Sequence, residues 1–461
     1  MTEDKKISRR DLLKTMSVAT GGFIAGSALS SCSVGGSDTA PTEAAPAAAS
    51  SGDEAAPTEA PQAAAPAAQD DPLRVVGIFP LTGFIAADGE EMRNGAVMAI
   101  DEINELGGLL GRQLEYIELD DVNSSTDEIS TAFNRAVDVE DPDMIVSGYH
   151  LASGPEFDIV ANAGKLYYNV NTQKAWTDLY QSDPDKYFGI FQCDPNDEWY
   201  GGGFAIWLNQ MVEQGKIDVS ALGKTAAILS GDDTYDSFIA QTFEETAQTD
   251  GWEVLSKESF TVGNVSDWGP LLSGVRDNPP SILFTTDYNP ADNAAMAKQW
   301  AATGGSNTLI YQQYGPSVPE YLELAGDAAN GIIWATVLGV LPDQIGNDFR
   351  ARYEAKFGMP PGWANAGGCY DCVWTWAKAA ALSGTPDDFK RVAQFTENQI
   401  HRGVTGGISF VNHGGQAYPA QTPDPSLGQA HIIVQIQNGE HVVIFPEPYT
   451  TGEFQTPPWW T

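Results

Sequence analysis

From Leu73 onward, short runs rich in Val and Ile alternate with stretches whose apolar residues recur at helical spacing, and the alternation starts again after residue 190. Consecutive parallel strands need a crossover long enough to hold a helix, so this alternation predicts parallel sheets. Leu73–Pro80 reads as a buried strand. Met92, Ala96, Ala99, Ile100 and Ile103 share one face of a helix over 89–106, which Gly107-Gly108 ends. Strands over 113–119, 144–148 and 166–170 follow, with a helix over 126–139. After the restart, strands are predicted at 224–230, 252–260, 281–285, 308–311 and 332–337, with helices at 236–248, 290–303, 347–357 and 367–383. The last two strands, 431–437 and 441–445, flank Asn438-Gly439, a tight-hairpin signal. The fold class is α/β in two doubly wound lobes, and ligands of such sheets sit beyond the carboxyl ends of the strands.

The N-terminus reads differently. Lys5, Lys6, Arg9, Arg10 and Lys14 outnumber the acids before residue 16, and a short, weakly apolar run follows to Ser30. That is the order of an export signal. Ser8-Arg9-Arg10-Asp11-Leu12-Leu13-Lys14 is similar to the twin-arginine consensus. Leu29-Ser30-Ser31-Cys32 is similar to a bacterial lipobox, which implies cleavage after residue 31 and a diacylglycerol on Cys32. The apolar run is too short to span a bilayer. Residues 32–72 are Ala, Pro, Thr, Ser, Glu and Asp almost throughout, a composition that cannot offset its own ordering entropy and is expected to act as an extended tether.

With 42% hydrophobic and 10% aromatic residues the chain can pack a core. Its 62 acidic against 24 basic residues, a net charge of -38, repel phosphate backbones and exclude nucleic-acid binding by general electrostatics. Four cysteines are too few for a disulfide scaffold; Cys369-x-x-Cys372 reads as a pair of core thiols, with a bond between them open after export. Asp121-x-Asn123-x-Ser125-x-Asp127 has the spacing of a calcium loop, but Thr126 stands where the loop needs glycine and Ala132 where it needs glutamate. The histidines form no H-E-x-x-H, and neither a phosphate-binding G-x-x-x-x-G-K-[ST] nor a strand-linked G-x-G-x-x-G is present. Neither metal nor cofactor is expected, and no nucleophile–base arrangement points to an enzyme.

Residues 75–121 carry Thr82-Gly83 after the first strand, then Gly95, Ala99, Ile103, Asn104, Gly107, Gly108 and Gly111, and close on Asp120-Asp121; Gly368-Cys369-Tyr370-Asp371 lies further on. These features resemble the leucine/isoleucine/valine-binding protein family, the type I periplasmic solute-binding proteins of ABC importers. The resemblance implies two Rossmann-like lobes with parallel-sheet cores joined by a three-strand hinge. It divides the chain into 73–192 with 333–429 as one lobe and 193–332 with 430–461 as the other, and places crossings near Gln192, Ile333 and residue 430. It also implies lobes that close on a small solute, a permease and ATPase as partners, and an extracytoplasmic location. Ligand contacts are implied at Thr82 and Asp88, at Ala152 and Ser153 after one strand, and at Asn171, Thr172 and Gln173 after the next. Tyr235, Asp287, Tyr288 and Tyr314 would serve from the second lobe. In the 148–154 loop, exposed amides and the Ser153 hydroxyl are expected to hold a carboxylate at a helix N-terminus. Thr172 stands one place early against the family pattern, with Gln173 in its slot, and Tyr314 stands where the family often has an acid. The expected ligand is a branched-chain or other aliphatic amino acid; urea or a short amide is the alternative, since amide side chains both donate and accept. A receptor domain signalling to a membrane sensor would use the same fold.

Overall fold

The computed structural model describes residues 71–303, 306–410 and 428–460. The chain separates into Met1–Ala64 and Ala65–Thr461, and every described residue lies in the second unit. The export signal, Cys32 and nearly all of the tether lie outside the described residues.

The first sheet has the order β2-β1-β3-β4-β5, all parallel. Its strands are β1 Leu73–Phe79, β2 Leu114–Asp120, β3 Met144–Ser147, β4 Tyr167–Asn169 and β5 Ile190–Gln192. Between them run α1 Ala86–Glu105, α2 Thr126–Arg135, α3 Pro155–Ala163 and α4 Lys174–Ser182. β1 is buried on both faces except at Arg74, as a strand covered by helices on each side must be. α1 turns Met92, Ala96, Ala99, Ile100 and Ile103 to the core. It ends where the Gly108 amide bonds back to the Ile103 carbonyl at 2.9 Å, with Gly107 and Gly108 at φ 102° and 82°.

The second sheet has the order β14-β13-β10-β9-β8-β6-β7. β6 Thr225–Gly231, β7 Glu253–Phe260, β8 Ile282–Thr286, β9 Leu309–Gln312 and β10 Ile333–Thr336 are parallel, and β13 Ile432–Gln437 and β14 Glu440–Phe445 complete it antiparallel. Asn438 and Gly439 take φ 54° and 79°, the left-handed pair that a two-residue hairpin requires. The helices of this half are α5 Glu198–Glu213, α6 Thr234–Thr249, α7 Gly269–Asp277, α8 Pro290–Ala302 and α9 Pro319–Ala325. After β10 come α10 Gln344–Phe357, α11 Asn365–Ser383 and α12 Phe389–Asn398, then the small hairpin of β11 Ile400–Arg402 and β12 Gly407–Ser409. α11 packs on α1, β3 and β4, so this stretch belongs with the first sheet. The chain leaves the first sheet after Gln192, and after Thr336 its helices return to pack on that sheet's side. β10 pairs with β9 and β13, which puts this second crossing after residues 333–336 rather than before them.

α5 has no counterpart in the sequence reading, because Gly201-Gly202-Gly203 looks like a break. A Cβ on Gly201 would lie 2.1 Å from the Ile239 carbonyl oxygen. Gly201 lets α5 and α6 approach backbone to backbone, Gly203 makes room for the His431 ring, and tertiary packing overrides their weak helix propensity.

Candidate functional site

The carboxyl ends of β3, β4, β6 and β8, and the turn after β9, surround a cavity of about 510 Å³. The first lobe contributes Tyr149, His150, Leu151, Ala152 and Ser153 after β3, and Val170, Asn171, Thr172, Gln173, Ala175 and Trp176 after β4. The second contributes Tyr200, Asp232, Asp233, Thr234, Tyr235, Tyr288 and Tyr314. Leu338 and Asn365 close the floor. Eight of the residues expected from the sequence thus meet here: Ala152, Ser153, Asn171, Thr172, Gln173, Tyr235, Tyr288 and Tyr314. Thr82, Asp88 and Asp287 do not line the cavity. Thr82 is exposed and donates from Oγ1 to Asp120. Tyr149, Trp176 and Tyr200, also in the lining, were missed: Tyr149 follows β3 in the loop, and Trp176 and Tyr200 lie in the first turns of α4 and α5, where aromatic residues read as ordinary packing.

The β3–α3 loop is built from long-range contacts. The Leu151 amide donates to Ser124 Oγ at 3.0 Å and the Ala152 amide to the Ser124 carbonyl at 3.1 Å. The Gly154 amide donates to Glu156 Oε2 at 2.7 Å, and Ser153 Oγ donates to Glu156 Oε1 at 2.6 Å. Asn171 Nδ2 in turn donates to Ser153 Oγ. The expectation of open amides here is therefore corrected at 151, 152 and 154, whose N–H groups are already satisfied within the protein. Beneath the loop, His150 Nδ1 lies 2.7 Å from Asp121 Oδ2, both side chains fully buried. Burial works against a charge on this imidazole, but Asp121 and then Glu156 hold it above its usual range. Asp121 thus braces the loop. Among the described residues no cluster of three or more His, Cys, Asp or Glu side chains is placed to hold a metal.

On the second lobe, Asp233 caps α6 by accepting from the Asp236 amide at 2.9 Å, and Asp232 accepts from Thr261 Oγ1 at 2.7 Å. Asp287 is buried with Oδ1 on the Asn289 amide at 2.8 Å and Oδ2 without a partner. Asp236, also buried, has neither oxygen bonded. Burial pushes both carboxyls well up, and for Asp236 the neighbouring acids Asp233 and Asp287 push the same way. Both stand next to wall tyrosines in the chain, Asp236 after Tyr235 and Asp287 before Tyr288. Tyr235 and Tyr288 meet edge to face with centroids 6.5 Å apart, and Tyr200 meets Tyr235 at 6.4 Å. Thr172, Gln173, Thr234 and Tyr288 keep their side-chain polar groups unengaged by other described residues, so these groups are available to a solute. Among the described residues no Lys or Arg lines the cavity.

Asp88 lies between the lobes beside the cavity, accepting from the hydroxyls of Tyr149 and Tyr314. One turn on, Glu91 accepts from the Gly362 amide on Oε1, while Oε2 is buried without a partner. Burial, and then the charge of Asp88, push the Glu91 carboxyl up to about 8. From pH 4.5 to about 8 the unfolded chain has released this proton and the folded chain still holds it, so stability falls as pH rises through that window. Glu91→Gln keeps the acceptor for Gly362 and cannot ionise. It is expected to gain on the wild type between pH 5 and pH 8 in urea unfolding; a difference that does not change with pH would contradict the assignment.

Cys193, Cys369 and Cys372 are buried free thiols, and burial pushes Cys369 and Cys372 well up, away from reactivity. No helix among the described residues is long and apolar enough to cross a membrane.

The family model described as periplasmic binding protein matches residues 72–436. The leucine-, isoleucine-, valine-, threonine- and alanine-binding protein of Pseudomonas aeruginosa is 25% identical over 346 residues, covering 75% of this chain and 87% of that one. Among solved structures, a protein from Silicibacter pomeroyi assigned to a branched-chain amino acid ABC transporter is 35% identical, with a TM-score of 0.78, over 84% of this chain and 100% of that one. LivJ of Streptococcus pneumoniae, a substrate-binding protein in complex with isoleucine, superposes with a TM-score of 0.66 at 20% identity, over 82% and 100% of the two chains. A solute-binding protein of R. palustris in complex with benzoate superposes at 0.64 with 15% identity, over 85% and 99%. The last two share the fold.

Proposed function

Since the chain belongs to the periplasmic binding protein family, in its leucine/isoleucine/valine-binding branch, we propose that it captures an aliphatic amino acid between two closing lobes and delivers it to an ABC importer. At the coarser level, it is a substrate-binding protein of the branched-chain amino acid ABC transporter type, a class of exported solute carriers rather than enzymes.

The observation that carries the reading is the two-sided cavity wall. Leu151, Ala152, Val170 and Leu338 with the aromatic rings offer an apolar surface, while Thr172, Gln173, Thr234 and Tyr288 offer unengaged hydroxyl and amide groups. An aliphatic side chain fits the first set and a zwitterionic head the second. In this reading Thr172 and Gln173 meet the carboxylate. The ammonium faces the tyrosine rings and the carboxylates of Asp232 and Asp233. Saturable binding of one aliphatic amino acid per chain in equilibrium dialysis tests it, and no binding of any amino acid would overturn it. A urea or short-amide ligand is the second reading, favoured by Asn171 and Gln173 in the carboxylate loop and by Tyr314, whose hydroxyl is engaged with Asp88. A receptor role would require a membrane sensor in place of a permease and ATPase.

We further propose export through the twin-arginine pair Arg9-Arg10 and anchoring by a diacylglycerol on Cys32, with residues 32–72 as the spacer to the membrane. Cys32→Ser is expected to move the protein from the detergent phase to the aqueous phase in a detergent partition. A variant that still partitions as a mature lipoprotein would contradict the anchor.

A further inference from the structure

We infer that Asp197 is a positioning residue that aims Thr172 and Gln173 at the solute from the segment where the chain crosses from the first sheet to the second. The loop after β4 is held from that segment at both ends. The Cys193 amide donates to the Asn169 carbonyl at 2.7 Å, and the Asp197 amide to the Thr172 carbonyl at 2.7 Å. The Asp197 carboxylate then accepts from the Lys174 amide on Oδ1 at 3.0 Å. One residue thus brackets Gln173, bonding to the backbone on either side of it. Asp197 is itself buried, 3% exposed, and does not line the cavity. Its neighbour Asn196 reaches the same helix, accepting on Oδ1 from Thr177 Oγ1 at 3.3 Å and from Gln192 Nε2 at 3.2 Å.

Lys174 opens α4, and the first amides of a helix have no partner within it. Gln173 stands at the N-cap, where a polar side chain ordinarily accepts from one of them, yet its side chain makes no such bond. Asp197 supplies the acceptor from elsewhere in the chain, and a carboxylate also suits the positive end of the helix dipole. The side-chain amide of Gln173 is thereby left for the cavity. With no Lys or Arg among the described residues of the lining, neutral donors meet the solute carboxylate in the capture reading above, on which this inference rests. Such bonds weaken steeply when misaligned, so the direction of each donor decides what it contributes. Asp197 also fixes part of the facing wall. Its carbonyl accepts from the Tyr200 amide at 3.1 Å, and Tyr200 lines the cavity from α5. Asp197 acts on the solute through these neighbours.

Two measurements on the full chain test the role. Amide hydrogen exchange over residues 172–176 is expected to quicken about tenfold in Asp197→Ala, the scale of one lost hydrogen bond, with residues 151–153 unchanged. Asp197→Asn keeps an oxygen for the Lys174 amide and is expected to restore most of the protection. Leucine affinity, by calorimetric titration, is expected to fall about tenfold in Asp197→Ala and to recover in Asp197→Asn. The same alanine substitution made on top of Gln173→Ala is expected to cost less than about twofold, because two residues that serve one contact do not add. A purely structural loss would be the same in both backgrounds. Equal losses in the two backgrounds, or exchange over 172–176 that alanine leaves unchanged, would overturn the proposal. A wild type that binds no leucine would count against the capture reading, and the exchange measurement, which needs no solute, would still decide whether Asp197 holds the loop.

Discussion

Alanine at position 371 is expected to cost the folded state about 3–5 kcal/mol. Asp371 is fully buried on α11, and its carboxylate accepts from the Val404 amide at 2.9 Å, the Thr405 amide at 2.9 Å and Thr405 Oγ1 at 2.6 Å. The loop joining β11 to β12 is wrapped so closely around it that a Cβ on Gly403 would lie 2.3 Å from the carboxylate. Truncation removes the acceptor and leaves two backbone donors in the interior, where each unpaired group retains its full desolvation cost. Thr405 Oγ1 also accepts from Gln429 Nε2 at 2.9 Å, so the damage would reach the segment leading into β13. Asp371→Asn, which keeps one acceptor oxygen, is expected to lose less. Urea unfolding of the three proteins measures the series, and a loss below about 1 kcal/mol for alanine would contradict this account of the brace.

The same residue shows what the sequence could carry. Tyr370-Asp371 was readable as a family feature at a helix start, but its reason, an acceptor for amides more than thirty residues downstream, exists only in three dimensions. β1, α1 and the β13–β14 hairpin were legible because each is announced locally, by a buried Val/Ile run, a helical stripe ended by Gly107-Gly108, and Asn438-Gly439. α5 was not, since its glycines serve a contact with α6 and mimic a break. In the cavity, Asn171, Thr172, Gln173 and Tyr288 were legible through the family resemblance, and they follow β4 and β8, where parallel sheets present residues to a ligand. Asp88 and Asp287 were placed on the wall by the family resemblance, which carries no sign of which way a carboxylate turns. Packing turned Asp88 toward two phenols and Asp287 onto the Asn289 amide. The 151 and 152 amides were expected to be open because Ser124, which occupies both, lies on a different strand-end loop.

Capture of an aliphatic amino acid predicts a second large effect. A solute that binds the folded chain and not the unfolded one stabilises it by RT ln(1 + [L]/Kd), about 2.7 kcal/mol at a hundredfold excess over Kd. A closing cleft that buries apolar surface from Leu151, Val170 and Leu338 should also give a negative heat-capacity change on binding. Ser153→Ala and Tyr288→Ala should each reduce the stabilisation. Loss of the Tyr288 hydroxyl leaves a ligand group unpaired at about 1–3 kcal/mol, and loss of the Ser153 hydroxyl takes a partner from Asn171 Nδ2 and from Glu156 Oε1.

The most direct measurement is a melting scan of the full chain against aliphatic amino acids, urea, short amides, sugars and nucleotides, repeated with both variants. A rise in melting temperature with an aliphatic amino acid, reduced in both variants and absent with sugars and nucleotides, is the expected result. A rise with sugars or nucleotides alone, or an amino-acid response identical in wild type and both variants, would contradict the assignment of this cavity as the capture site.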